Sequence, residues 1–401
     1  MKKLTYNHTI YACFTAYVVQ AVNNNYAPLL FLWFQNSFSI SISQIALITT
    51  INFTVQLLVD LLAADVLDRI GYRTAAVLAH GFAAVGLAGL AFFPPLFAEP
   101  FLGVLVAVVL YAIGGGILEV LISPIVESCP GDKKEAAMSL SHSFYCWGHV
   151  AVVLVSSLFF KVFGIDNWPV LAVIWAMLPI WNGILFLRVP IARLDSTHGH
   201  AVGIRKLFGI KQFWILILIM IVSGASEQAA GQWASVYAEG VLLMPKFVGD
   251  LAGPLLFATM MGLTRVYYGK FSEKMKLEKV MRWACVLCIV SYVMIALANN
   301  PVVGFVGLAL CGIAVAIFWP GTVSIAAKNI PGGGTAMFAF LALAGDIGCA
   351  SGPALVGAVS ERFGDALQKG FVAALVFPVL LLAGLLVYRR MQRGEAVAQK
   401  E

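Results

Sequence analysis

The chain has 401 residues, of which 61% are hydrophobic and only 11% charged, with a formal net charge of +6. Soluble domains carry about 25% charged residues because they face water on every side, so this composition excludes a soluble globular protein. The apolar residues fall in runs of roughly 20, the length that crosses a ~30 Å hydrocarbon core, and the membrane is therefore the solvent.

In chain order the apolar runs predict twelve spans, over 8–34, 43–64, 74–93, 101–127, 136–162 and 168–188, then 212–238, 248–268, 279–298, 302–327, 334–360 and 367–389. The first has a basic start but is too long for the core of a signal peptide. The longest connection, Val189 to Lys211, is polar and basic and divides the spans six and six. The expected organisation is an N-terminal bundle over 1–188, a cytoplasmic linker over 189–211, a C-terminal bundle over 212–389 and a cytoplasmic tail over 390–401. With the N-terminus placed in the cytoplasm, 22 of the 26 Lys and Arg residues fall in or beside cytoplasmic connections; the others are Lys161, Lys246, Arg362 and Lys369. This is the positive-inside asymmetry, so both termini are expected in the cytoplasm and the chain in the inner, cytoplasmic membrane of the cell. The basic pI needs no nucleic-acid partner to explain it.

Two loops echo each other. After the second span comes Ala64-Asp65-Val66-Leu67-Asp68-Arg69-Ile70-Gly71-Tyr72-Arg73, and 205 residues later, after the eighth, comes Gly269-Lys270-Phe271-Ser272-Glu273-Lys274-Met275-Lys276. Each has a small residue first, a carboxylate fifth and a base sixth. A carboxylate at a helix end, followed by Arg and Gly in a tight turn, can pair with neighbouring helix ends and hold one face of a carrier shut. Asp65, Asp68, Arg69, Arg73, Arg265, Gly269 and Glu273 are the candidate gating residues. The pattern resembles the loop between the second and third helices of the major facilitator superfamily, with Ala64 where that family prefers Gly and Tyr72 where it prefers Arg or Lys. The resemblance covers essentially the whole chain. It implies the major facilitator fold: parallel halves related by an axis along the membrane normal, inverted three-helix repeats within each, and a solute site between the halves near the midplane.

A charged side chain at the bilayer centre costs at least ~2.5–3.5 kcal/mol, so each one asks for a reason. Glu119 in span four, Glu227 in span seven and Asp346 in span eleven lie deep, and Asp60 lies nearer the inner end of span two. Counted outward from the turn near Gly131, Glu119 and His142 reach about one depth. His142, Tyr145 and His149 recur at spacings of three and four, on one face of span five. A carboxylate facing imidazole and phenol in a partly dry cavity suits a proton-coupled carrier, because a buried acid can load and release a proton as access to water alternates. The alternative for Glu119 is a neutral, hydrogen-bonded glue between helices.

The span-four string Gly114-Gly115-Gly116-Ile117-Leu118-Glu119-Val120-Leu121-Ile122-Ser123-Pro124 resembles the fucose permease-like, fucose:proton symporter branch of the superfamily. Glu119 falls on that branch's proton-linked glutamate, and Ser123-Pro124 stands where the branch has Asn-Pro. His142-Ser143-Phe144-Tyr145-Cys146-Trp147-Gly148 is similar to its Gln-Thr-Phe-Asn-Ser-Phe-Gly, which puts His142 and Tyr145 on sugar-lining positions. In span one, Asn23-Asn24-Asn25-Tyr26-Ala27-Pro28 supplies the branch's paired asparagines but has Pro28 where the branch carries Asp. Glu227 or Asp346 then becomes the candidate for the missing acid.

The remaining polar residues suit an uncharged polyhydroxylated solute. Asn24, Asn25, Asn52, Gln56, Gln228 and Gln232 carry amides that both donate and accept, and Trp233, Phe318 and Trp319 offer rings for the apolar face of a sugar. Individually, such amides are more often packing glue between helices. No basic residue is expected at mid-depth in any helix, which disfavours an organic anion. Neither metal nor cofactor is expected: Cys285 and Cys288 form a CxxC inside span nine with no second pair, and Gly332-Gly333-Gly334-Thr335 lacks the strand and Lys of a phosphate loop. The helix-four Arg and the Gly-Pro helix-five signature of drug antiporters are missing. The expectation is therefore a secondary transporter, not an enzyme, that imports a sugar or sugar derivative with protons by rocker-switch alternating access and functions as a monomer. A drug or metabolite exporter of the same superfamily and a non-transporting membrane receptor are the alternatives.

Overall fold

The computed structural model describes residues 4–130, 134–191, 207–271, 275–330 and 334–398; at 63–69, 123, 127, 134–140, 142, 269–271, 327, 334–336, 338–339 and 393–398 it describes the backbone alone. These residues form twelve crossings. In the first half they are α1 (Tyr6–Asn25, continued by a 3-10 turn Ala27–Leu30 and a short helix Phe31–Phe38), α2 (Ile42–Ile70), α3 (Tyr72–Phe92), α4 (Pro100–Ser128), α5 (Lys134–Phe163) and α6 (Trp168–Arg188). In the second they are α7 (Lys211–Gly231, then Ala234–Val236 and a π turn Tyr237–Val241), α8 (Lys246–Asp250, a π turn Leu251–Leu255, Leu256–Phe271) and α9 (Leu277–Leu297). The series closes with α10 (Pro301–Val315 and Phe318–Asn329), α11 (Gly334–Arg362) and α12 (Leu367–Ala374 and Val376–Ala398).

Among the described residues, eleven helices are long and apolar enough to cross a membrane. The remaining crossing, α1, is the more polar because Gln20 and Asn23 to Asn25 lie on it, and all four of those side chains are buried. Apolar side chains cover the outside of the molecule instead: Leu61, Val162, Trp181, Trp214, Trp283 and Val302 are exposed, as expected where the solvent is lipid.

Lipid supplies no hydrophobic drive between helices, so close backbone approach at small residues does the packing. A Cβ on Gly348 of α11 would come 1.9 Å from the Ile221 carbonyl oxygen of α7, and one on Gly114 of α4 would come 2.5 Å from the Ala79 oxygen of α3. Only glycine permits these two crossings.

The α2–α11 and α5–α8 seams are two of the places where the halves meet. On the α2–α11 seam, Ser43 donates to Glu361 at 2.9 Å and Thr50 to the Ala350 oxygen at 3.4 Å. On the α5–α8 seam, Ser157 donates to Asp250 at 3.1 Å and Lys161 sits 4.2 Å over the Phe247 ring. Each of these contacts lies between mid-depth and the face opposite the chain termini.

Candidate functional site

At mid-depth the first helix of each half breaks, at Tyr26 in α1 and at Gln232 in α7, 206 residues apart. Pro28 lacks the N–H that a continuing α1 would need. The broken ends face each other across the molecular axis: Gln232 Nε2 donates to the Asn24 carbonyl oxygen at 3.2 Å and to Gln228 Oε1 at 3.0 Å. Thr49 of α2 donates to Gln232 Oε1 at 3.4 Å.

Asn24 is the hub of this layer. Its Oδ1 accepts from Asn52 at 3.1 Å and from Gln56 at 2.9 Å, two α2 residues spaced one turn apart. The amide nitrogens of Asn24 and Asn25 both reach the Tyr145 hydroxyl of α5 at 3.4 Å. Asn23 Oδ1, Asn52 Oδ1 and Gln56 Oε1 are buried and receive no hydrogen bond among the described residues. A layer with three spare acceptors suits a solute rich in O–H or N–H donors.

The acids surround this layer. Glu119 Oε2 accepts from Gln20 Nε2 at 2.7 Å, so Glu119 faces α1. Tyr145, expected on the face toward Glu119, has its hydroxyl against the Asn24 and Asn25 amides of α1. His142 is among the residues whose side chains lie outside the description. His149 is buried on the same helix. Asp60 of α2 and Asp346 of α11 are in side-chain contact across the halves, with Glu119 close to both.

Arg265 overturns the expectation that no base reaches this depth. Its guanidinium extends from α8 to within 3.4 Å of Glu227 on α7, and also donates to the Ala316 oxygen at 3.1 Å and to Cys146 Sγ at 3.0 Å. Its backbone lies toward the end of α8, which is why the sequence assigned it to the loop; its long side chain carries the charge inward.

The aromatic candidates divide. The Trp233 ring is 1% exposed, packs 6.2 Å from Phe31, and already donates its indole N–H to the Pro353 oxygen. Phe318 is equally buried, whereas Trp319 is half-buried against Gly345, the neighbour of Asp346.

Of the gating candidates, Arg73 donates to the Phe186, Leu187 and Val189 oxygens and so holds the end of α6 beside the start of α3. Of Asp65, Asp68, Arg69 and Gly269 only the backbone is described, and Glu273 lies outside the described residues.

Two groups escaped the sequence reading. Gln20, one turn before Asn24, holds Glu119. Lys246, counted only as an outer-loop base, reaches Glu239 at 2.8 Å and Asp250 at 3.0 Å, and Ser235 donates to Asp250 at 2.7 Å. Asp250 and Lys246 at a spacing of four on one helix were the legible signal.

Comparison with known proteins agrees with this architecture. The family model of the Major Facilitator Superfamily matches residues 12–353 and 251–401. The chain belongs to the major facilitator superfamily. Its fold is similar to that of a bacterial homologue of the human lysosomal transporter Spinster (TM-score 0.76, 16% identity, 96% of this chain and 97% of that one). It is also similar to the E. coli fucose:proton symporter FucP (TM-score 0.66, 19% identity, 96% and 99%) and to a D-xylose–proton symporter (TM-score 0.77, 12% identity, 95% and 97%). No curated protein matches the sequence. As a member of this superfamily the chain is a multi-pass membrane transporter of small solutes.

Proposed function

We propose that this transporter imports a sugar or sugar derivative together with protons, by rocking its two halves about the amide layer at mid-depth. The observation that carries the reading is the Asn24 hub, where side chains from α1, α2 and α5 converge and α7 of the other half closes on the same residue. The hub's spare acceptors fit the hydroxyl donors of a sugar, and Trp319 beside Asp346 offers a ring to its apolar face. Asn24, Asn25, Asn52, Gln56, Tyr145, Gln228, Gln232 and Trp319 would contact the solute. Glu119 would carry the proton: it is held by a neutral amide, with no base hydrogen-bonded to it in the described contacts. Glu227, by contrast, has Arg265. Arg265 is thereby neutralised, so the layer's balance stays acidic and still disfavours an anionic solute.

The cytoplasmic placement of the termini follows from the Lys and Arg distribution. With that orientation, the contacts between α2 and α11 and between α5 and α8 close the outer side. One complete pathway between two halves makes a monomer sufficient. A thermal-shift screen of the purified protein against a sugar panel, at acid and at neutral pH, tests the substrate class. Stabilisation by one sugar, stronger at acid pH, is the expected result; stabilisation by hydrophobic cations alone would point to an exporter instead.

A further inference from the structure

The α2–α11 seam ends, at its innermost point, on a contact that the proposed function leaves unused. From the face opposite the termini inward, Ser43 bonds Glu361, Ala46 packs on Gly357, Thr50 bonds the Ala350 oxygen, and Asp60 meets Asp346. Both partners of the last contact are acids. Asp346 is 3% exposed, and neither Asp60 Oδ1 nor Asp346 Oδ2 receives a hydrogen bond from a donor among the described residues. Two ionised carboxylates do not hold such contact in a buried site, whereas one proton between them turns repulsion into a hydrogen bond.

Among the described residues, the surrounding groups do not relieve the repulsion. Glu119 of α4 adds a third acid, Cys349 lies one turn further along α11, and Glu227 faces the same region from α7. Arg265 of α8, the base that reaches this layer, is engaged by Glu227, Cys146 and the Ala316 oxygen.

We propose that Asp60 and Asp346 share a single proton in this conformation, and that this proton closes the α2–α11 seam between the halves. Loss of the proton to water leaves two carboxylates that repel each other, the seam parts, and the opposite face opens. The inference rests on the reading of the chain as a proton-coupled carrier, and it adds a coupling site at the contact between the halves.

Ser43→Cys with Glu361→Cys gives a direct report of closure, because the native pair is 2.9 Å apart and the seven native cysteines are buried. In the full chain in lipid nanodiscs, cross-linking by a short thiol reagent is expected to fall at least about fivefold from about pH 5.5 to about pH 9, as the shared proton is lost. Asp60→Asn and, separately, Asp346→Asn should flatten that dependence, since an amide N–H donates to the remaining carboxylate without a titrating proton. A wild-type seam indifferent to pH, Asn variants that track the wild type, or closure restored at alkaline pH by sodium would each overturn the shared proton. Solute uptake by the same protein separates the two readings. Proton-driven uptake with a seam indifferent to pH overturns the shared proton and leaves the symport reading standing. A pH-gated seam without proton-driven uptake supports the shared proton and overturns the symport.

Discussion

Arg265 Nη2 stands 3.4 Å from Glu227 Oε2, joining α8 to α7 beside the amide layer. The two side chains are 25% and 12% exposed, so the pair is neither a surface pair nor a dry one. Arg265→Ala strands Glu227 and is expected to lower stability by on the order of 2 kcal/mol, between the values for exposed and buried pairs. Adding Glu227→Gln should recover most of that loss. Thermal unfolding of the single and double variants in detergent checks this, and equal losses in both would contradict it.

The Lys246 cluster holds its acid more deeply than the Arg265 pair does. Asp250 is fully buried and Lys246 is its cationic partner. Lys246→Met leaves a buried charge without compensation and should cost about 3–5 kcal/mol, with a matching fall in folded yield. Lys246→Met with both Asp250→Asn and Glu239→Gln, which neutralises the two acids that Lys246 pairs, should recover most of that loss in a chemical-denaturation series.

Two glycines predict opposite outcomes for one substitution. Gly348→Ala drives a methyl to 1.9 Å from the Ile221 oxygen, so α7 and α11 must separate and folded protein should be largely lost in size-exclusion profiles. A Cβ at Gly81 meets nothing within 4 Å, and Gly81→Ala should be neutral or stabilise by up to ~1 kcal/mol through helix propensity.

Asn24→Ala removes the acceptor shared by Asn52 and Gln56 and frees both amides. Apparent solute affinity in a transport assay is expected to fall at least tenfold, roughly the loss of two neutral hydrogen bonds. Tyr145→Phe breaks only contacts of 3.4 Å, and its effect should stay within a few-fold. The reverse ranking would remove Asn24 from the centre of the site.

Much of this architecture is written plainly in the chain. Apolar runs of membrane length, basic connections and the loop repeated after 205 residues suffice for twelve spans in two halves, and charge scarcity makes Glu119, Glu227 and Asp346 conspicuous. Helix rotation is what one-dimensional reading lacks. Depth counting set Glu119 level with His142, but depth alone does not say which neighbour a side chain meets, and the Gln20 contact went unseen. Side-chain reach is the second gap: Arg265 looks like a loop base by position, yet its guanidinium meets Glu227 of α7 and Cys146 of α5. Asp60 and Arg265 also stand 205 residues apart, equivalent places in the two halves, and that coincidence could have marked both as inward-facing.

In the proposed cycle, protons carried at Glu119 drive a solute past the amide layer. Uptake of a sugar panel into proteoliposomes under an imposed proton gradient tests it most directly, with wild type and Glu119→Gln side by side. Wild type is expected to accumulate at least one sugar, while Glu119→Gln loses accumulation and keeps counterflow. Undiminished accumulation by Glu119→Gln, or no flux of any sugar through the wild type, would contradict it.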